Sequence, residues 1–234
     1  MLLPSNQTLK LMLFAVISCL VSAAPSYAVP VSWVDWTSAN STSAVGTADG
    51  VTVNFTGALN PAAQTSGGIN YWAVSPSTYT SAPAVDNAPP SSDIIRLIGG
   101  TATGVQTLTF SAPVLNPVMA ILSMGQTGIP VQYVFDSPFD ILNVGPGYWG
   151  NGTLAELPGN VLEGREGHGI IQFTGTFTSI SWTIPTAENW HGFTIGVPGT
   201  SGPTPVPEPS TLVLSGLAFI GLASRMRRLN RTDA

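Results

Sequence analysis

A chain of 234 residues, 44% hydrophobic and 8% charged, has room for one main domain with appendages and enough apolar side chains for a full core. Between Val29 and Pro205 two arginines, Arg96 and Arg165, stand against ten acids and no lysine, a net charge of −8. That balance excludes a nucleic-acid partner, which needs clustered Lys and Arg.

Residues 1–28 read as a secretory signal peptide. Lys10 gives the positive start, residues 11–21 the apolar stretch, and Ser26-Tyr27-Ala28 a small-x-small cleavage site. An uncleaved anchor is the alternative, but the apolar run is short and turns into Ser-Ala-Ala-Pro. Val16-Ile17-Ser18-Cys19 also fits a loose lipobox, although apolar residues continue past it and a better site follows. Cys19 is the only cysteine, so cleavage after Ala28 leaves neither disulfide nor thiol chemistry.

Residues 29–198 read as short strands between turns. Residues 51–55, 107–110, 180–184 and 193–197 alternate apolar and polar side chains, which places one set on each face of a sheet. Further strands are expected at 32–37, 69–74, 94–98, 118–124, 131–135 and 170–174, with Gly, Pro, Asn and Asp in the gaps. Helical periodicity is missing throughout. The fold class is therefore all-β, a sandwich with jelly-roll-like strand exchange. The stretch 75–92 holds four prolines and reads as a surface excursion, while 137–169 is rich in glycine and poor in strand pattern. Residues 199–209 form a Pro/Gly linker.

Catalytic signatures are thin. His168 and His191 are the only histidines, neither sits in a ligand-spaced motif, and both read as surface or turn residues, so no metal ligands are assigned. Nucleophile-elbow, zinc-helix and phosphate-loop patterns are absent. Glycosidases use two acids about 5–9.5 Å apart. The pairs Asp136 with Asp140 and Glu163 with Glu166 lack a glucanase pattern and read as solvated loop acids, so no catalytic residue is assigned. The same acids could take Ca²⁺, but no EF-hand or nonapeptide spacing supports it, and no cofactor is expected. The best recognition candidates are Tyr148 and Trp149 in the glycine-rich stretch 145–152. They either stack on a sugar ring or cap one end of the core. The other five tryptophans, Trp33, Trp36, Trp72, Trp182 and Trp190, lie in strand patterns and read as core. Thr174, Thr176 and Thr178 make a Thr-x-Thr-x-Thr row of ordinary strand composition.

The tail, residues 210–234, reads as a short transmembrane helix with a basic end. Pro207-Glu208-Pro209 is extended and stiff. Residues 212–223 carry no charge, and Arg225, Arg227, Arg228 and Arg231 form a cytoplasmic stop. The apolar run spans roughly 24 Å as a helix against a hydrocarbon core of about 30 Å, a deficit that snorkelling arginines reduce. The three parts in this order closely resemble the PEP-CTERM sorting signal of Gram-negative bacteria, a motif that also goes under the label of an ice-binding protein C-terminal domain. That resemblance implies a Sec-exported substrate held in the inner membrane, processed by an exosortase and then placed at the cell surface or in the extracellular matrix. It also implies an exopolysaccharide or biofilm setting. The segment 177–197 looks like the last two strands of the sandwich domains that precede such signals.

The expected function is therefore that of a non-enzymatic surface or matrix protein. A carbohydrate-binding sandwich is the alternative, ahead of a glycoside hydrolase or a lipoprotein. Mass spectrometry of the exported protein is expected to find a chain starting at Val29; a diacylated start at Cys19 would establish the lipobox instead.

Overall fold

The computed structural model describes residues 30–59, 63–90, 92–188 and 190–199. The chain enters through β1 (Val31–Trp33), β2 (Asp35–Ala39), β3 (Ser43–Ala48) and β4 (Val51–Thr56), and reaches the short β5 (Ile95–Leu97) after a long excursion. It continues with β6 (Val105–Leu115), β7 (Val118–Met124), β8 (Val131–Phe135) and β9 (Asp140–Val144). The last five are β10 (Thr153–Leu157), β11 (Val161–Arg165), β12 (Gly167–Gln172), β13 (Thr176–Thr183) and β14 (His191–Pro198). The one helical element among the described residues is a 3-10 turn, Thr101–Thr103.

The strands form two antiparallel sheets. One runs β1-β14-β7-β12-β9, with β5 also paired to β14; the other runs β10-β11-β8-β13-β6-β4-β3-β2. Pairing is nested: β6 with β13, β7 with β12, β8 with β11, each successive pair in the opposite sheet. That is the exchange expected of a jelly-roll-like sandwich. β10 departs from the nesting and pairs with β11.

The main core lies between the sheets and includes Val53, Phe55, Leu108, Tyr133 and Trp182 facing Met119, Ile121, Phe193 and Ile195. Alternation explains most strands: in β6, Gln106, Leu108 and Phe110 are buried between more exposed neighbours. β7 and nearly all of β14 are instead buried on both faces. Their outer face, with Val118, Ala120 and Leu122, meets a second apolar cluster of Trp33, Trp72, Tyr79, Val85 and Ile94. Two glycines of β14 make this close approach possible. A Cβ on Gly192 would come within 2.5 Å of Ile94 Cδ1, and one on Gly196 would overlap Val31.

The excursion between β4 and β5 supplies the outer cover and is pinned at both margins of the sheet. On the β1 side, Asn87 Oδ1 accepts from Val31 N at 2.9 Å and its Nδ2 donates to Val31 O at 2.9 Å, while Trp33 Nε1 donates to Asn87 O at 2.9 Å. On the β9 side, Asn143 Nδ2 donates to Thr80 O at 2.9 Å, and Ser81 Oγ donates to Leu142 O at 3.1 Å. At its root the buried Asp93 accepts from Trp36 N at 2.9 Å, and its carbonyl accepts from Trp72 Nε1 at 3.0 Å. Burial pushes the Asp93 carboxyl up to about 6, with Asp35 adding to the rise.

Several expectations need correction. Residues 69–74 form no strand: Trp72 N donates to Asn70 Oδ1 at 3.0 Å, a local turn that competes with extension. The stretch 137–169 is not strand-poor, since it holds β9, β10 and β11. These strands show little alternation because β9 is half-buried along its middle, while β10 and β11 bury few side chains. The threonine row is broken by a register shift between Phe177 and Ser179, and Thr174 lies before β13. No helix among the described residues is long and apolar enough to cross a membrane. The expected signal peptide (1–28), most of the linker and the expected anchor (210–234) lie outside the described residues.

Asn87→Ala removes both side-chain bonds to Val31 and leaves a strand N–H without its acceptor. It is expected to cost about 1–3 kcal/mol and to open residues 75–90 to protease, as read by thermal melts and limited proteolysis.

Candidate functional site

At one end of the β1-β14-β7-β12-β9 sheet, five connections converge. The β9–β10 connection makes a tight two-residue turn in which Gly147 N donates to Gly150 O at 2.7 Å and Gly150 N to Gly147 O at 3.4 Å. Tyr148 and Trp149 occupy its tip. Glycine is required on both flanks: a Cβ on Gly147 would overlap the His168 ring, and one on Gly152 would overlap the carbonyls of Arg165 and Glu166. The turn is therefore pressed onto the β11–β12 corner, and its two aromatics project.

Tyr148 is 48% and Trp149 46% exposed, and neither belongs to either apolar core. They pack on rings from two other segments. Tyr71 stacks on Trp149, with centroids 5.1 Å apart and planes inclined by 29°. Trp190, half-buried just before β14, meets Trp149 edge-on at 4.4 Å. Tyr148 stands edge-on to Tyr71 at 5.0 Å. Trp190, expected in the core, thus sits at the core margin as part of this group.

Beneath the rings lies a polar layer. Ser123 and Glu166 both take left-handed backbone, with φ of 53° and 56°, a conformation uncommon outside glycine. They are joined by a 2.5 Å bond from Ser123 Oγ to Glu166 Oε1. Ser123 N donates to His168 Nδ1 at 3.1 Å, so the neutral ring carries its proton on Nε2, which lies 3.8 Å from Glu166 Oε1. Glu188, almost fully buried, accepts from Gly125 N at 2.9 Å through Oε2, and the same oxygen lies 3.0 Å from His191 Nδ1. The Tyr133 ring lies 5.5 Å from that of His191, and its phenol is raised well above its ordinary value, chiefly by burial and then by the Glu188 charge.

Two cavities flank Trp149. One, of about 390 Å³, lies on the Trp190 side and is lined also by Ser123, Gln126, Glu166 and Glu188. The other, of about 430 Å³, lies toward Asn151, Thr153 and Arg165. A third of about 380 Å³, bordered by Leu115, Val197 and Gly199, is at the opposite end of the sheet and is mainly apolar.

The structure therefore brings Tyr148 and Trp149 together with Tyr71 and Trp190, which sequence reasoning had placed in strands. Both histidines are fully buried rather than at the surface. Of the acids paired in the sequence, Asp136 accepts from Ser181 N at 3.1 Å, Asp140 accepts from Thr174 Oγ1 at 3.2 Å, and Glu163 holds Arg165 at 3.2 Å. Glu166 instead shares a cavity with Glu188, a residue the sequence did not single out. Among the described residues no three His, Cys, Asp or Glu side chains cluster to hold a metal ion.

Comparison with known proteins bears on the tail. The family model of the PEP-CTERM protein-sorting motif matches residues 205–228. This agrees with the resemblance carried by Pro207, Glu208, Pro209, Arg225, Arg227 and Arg228; Arg231 lies past the matched residues. The motif indicates an exported protein with a membrane-anchored intermediate, targeted to an exosortase. No curated protein and no solved structure matches the chain.

Burial holds His168 down at about 4, below an unfolded value near 6.5. The unfolded chain therefore takes up this proton first, and the stability His168 contributes, full above pH 6.5, is lost as pH falls from about 6.5 through about 4. Asp93, raised to about 6, acts with the opposite sign as pH falls below 6. The His168 ring protons are expected to titrate by NMR with a midpoint near 4, and Asp93→Asn is expected to steepen the acid loss of stability. A His168 midpoint at 6 or above would show the ring to be solvated.

Proposed function

We propose that this is an exported, non-enzymatic protein of the cell surface or extracellular matrix, sorted by an exosortase from the inner membrane, whose sandwich binds carbohydrate in an exopolysaccharide or biofilm setting. One observation supports the binding role above all: two half-exposed rings at the tip of a glycine-bounded turn, buttressed by Tyr71 and Trp190. Exposed aromatic area is costly unless a partner covers it. The apolar C–H face of a pyranose ring fits the electron-rich face of an indole. The glycine packing of Gly147 and Gly152 fixes the turn, so little conformational entropy is lost on binding.

The sorting half rests on the tail. Pro207-Glu208-Pro209 offers extended backbone, the form that proteases bind, and Arg225, Arg227, Arg228 and Arg231 are costly to carry across a bilayer. Sec export brings the sandwich to the periplasmic side, with Ser26 and Ala28 at the signal-peptidase site.

Polysaccharide pull-down with the exported protein tests the binding role. Trp149→Ala is expected to abolish retention while costing no more than about 2 kcal/mol, against about 3–5 kcal/mol for truncating a fully buried large aromatic. Retention that survives the substitution, or a steep loss of melting temperature, would mean that the ring serves the fold alone. Replacing Pro207, Glu208 and Pro209 by alanine is expected to leave full-length protein in the inner membrane, and an unchanged mature mass would overturn the sorting claim.

A further inference from the structure

The rings indicate where a ligand stacks, and the cavity on the Trp190 side indicates what the ligand carries. Its volume, about 390 Å³, falls within the range of ~300–1,000 Å³ typical of small-ligand pockets. Two of its six lining residues, Glu166 and Glu188, are carboxylates, two are tryptophans, and none is a cation. Each carboxylate is held from behind through a single oxygen. Ser123 Oγ donates to Glu166 Oε1, and both contacts to Glu188 fall on Oε2. Glu166 Oε2 makes none of these contacts and its side chain is 26% exposed, whereas the Glu188 side chain, 2% exposed, acts on the cavity through its charge.

Positive charge near the cavity is already engaged or absent. Arg165 borders the other side of Trp149, where its guanidinium lies 3.2 Å from Glu163. His168 is kept neutral by burial at ordinary pH. His191 approaches Glu188 on the oxygen that Gly125 also uses. A carboxylated sugar would meet two like charges in a partly desolvated cleft. An ammonium would meet Glu166 as an acceptor, the Glu188 charge close by, and two indoles lining the cleft.

We propose that this cavity binds a primary ammonium group, so that the ligand of the aromatic platform is an amino-sugar polymer with free amines. The proposal rests on the carbohydrate reading of Tyr148 and Trp149 and adds a chemical class to it. The rings take the apolar face of one sugar unit, and Glu166 takes the amine beside it, with the Glu188 charge adding to the attraction. N-acetylation removes the charge and adds bulk where the carboxylates stand, so the acetylated polymer binds more weakly.

The test is calorimetric titration of the full-length protein, in a detergent without a sugar headgroup, at a pH where the sugar amine is protonated. The probes are β-linked hexamers of glucosamine, N-acetylglucosamine and glucose. The glucosamine hexamer is expected to bind at least about tenfold more tightly than the other two, a difference of about 1.4 kcal/mol. That preference should disappear in Glu166→Gln and in Glu188→Gln, and should persist in Glu156→Gln, which removes an acid from the exposed side of β10. Gln126→Lys, at an exposed turn position lining the cavity, should also abolish it and does not depend on the carboxylates folding as amides. Equal, Trp149-dependent binding of all three hexamers would overturn the ammonium assignment and leave the platform standing. A preference that falls equally in Glu156→Gln would reduce it to general attraction to an acidic surface and overturn it. Binding of none of the hexamers would overturn the ammonium assignment, and failure of the broader polysaccharide pull-down as well would bring down the platform.

Discussion

β7 and β14 are buried on both faces, and that constraint orders the rest of the molecule. A two-sheet sandwich buries one face of each sheet and leaves the other to solvent. Here Val118, Ala120 and Leu122 would stand in water unless something covered them. The cover is an irregular segment of chain, and irregular backbone satisfies its polar groups poorly when it is buried. Asn87 and Asn143 answer that difficulty by pairing with strand-margin and loop backbone, as a neighbouring strand would. Gly192 and Gly196 answer the steric half by letting Ile94 and Val31 lie against β14.

The site is a by-product of the same arrangement. The cover starts with Tyr71 and Trp72; Trp72 goes into the outer cluster, and Tyr71 is left at the sheet end against Trp149. The left-handed backbone at Ser123 and Glu166 turns β7 and the β11–β12 corner toward each other, so that a serine hydroxyl and a carboxylate meet. Conformations of this kind persist only where surrounding contacts over-determine them, and they concentrate where a site requires a particular geometry. The buried histidines back the two carboxylates and leave the cavity side to the acids.

Much of the sandwich was legible in the sequence. Strands with one buried face, such as β4, β6 and β13, announce themselves by alternation, and the continuous apolar run of β7 also reads as a strand. The edge strands β9 and β10, and β11 beside β10, did not, because half-exposed positions carry no clear period. Tyr148 and Trp149 were legible as a pair of aromatics among glycines, but their partners were not. Tyr71 and Trp190 are distant in sequence, and each lies beside apolar residues that suggest a strand. Glu188 was hidden for a similar reason: an isolated acid in a turn looks solvated until the fold places Gly125 and His191 against it. The sorting tail was legible from order alone, since proline, apolar and basic segments each have a distinct physical character.

β14 also carries a mechanical consequence. Trp190 stands at its start and Gly199 just past its end, so the aromatic group and the last described residue lie at opposite ends of one strand. A pull applied between the two therefore runs along the strand axis. Backbone hydrogen bonds of antiparallel pairs stand perpendicular to that axis. The bonds that β14 makes to β7 on one side, and to β1 and β5 on the other, are loaded together in shear. Peeling would break them one at a time. A strand fixed on both sides and buried on both faces is thus the element of this fold best placed to bear tension.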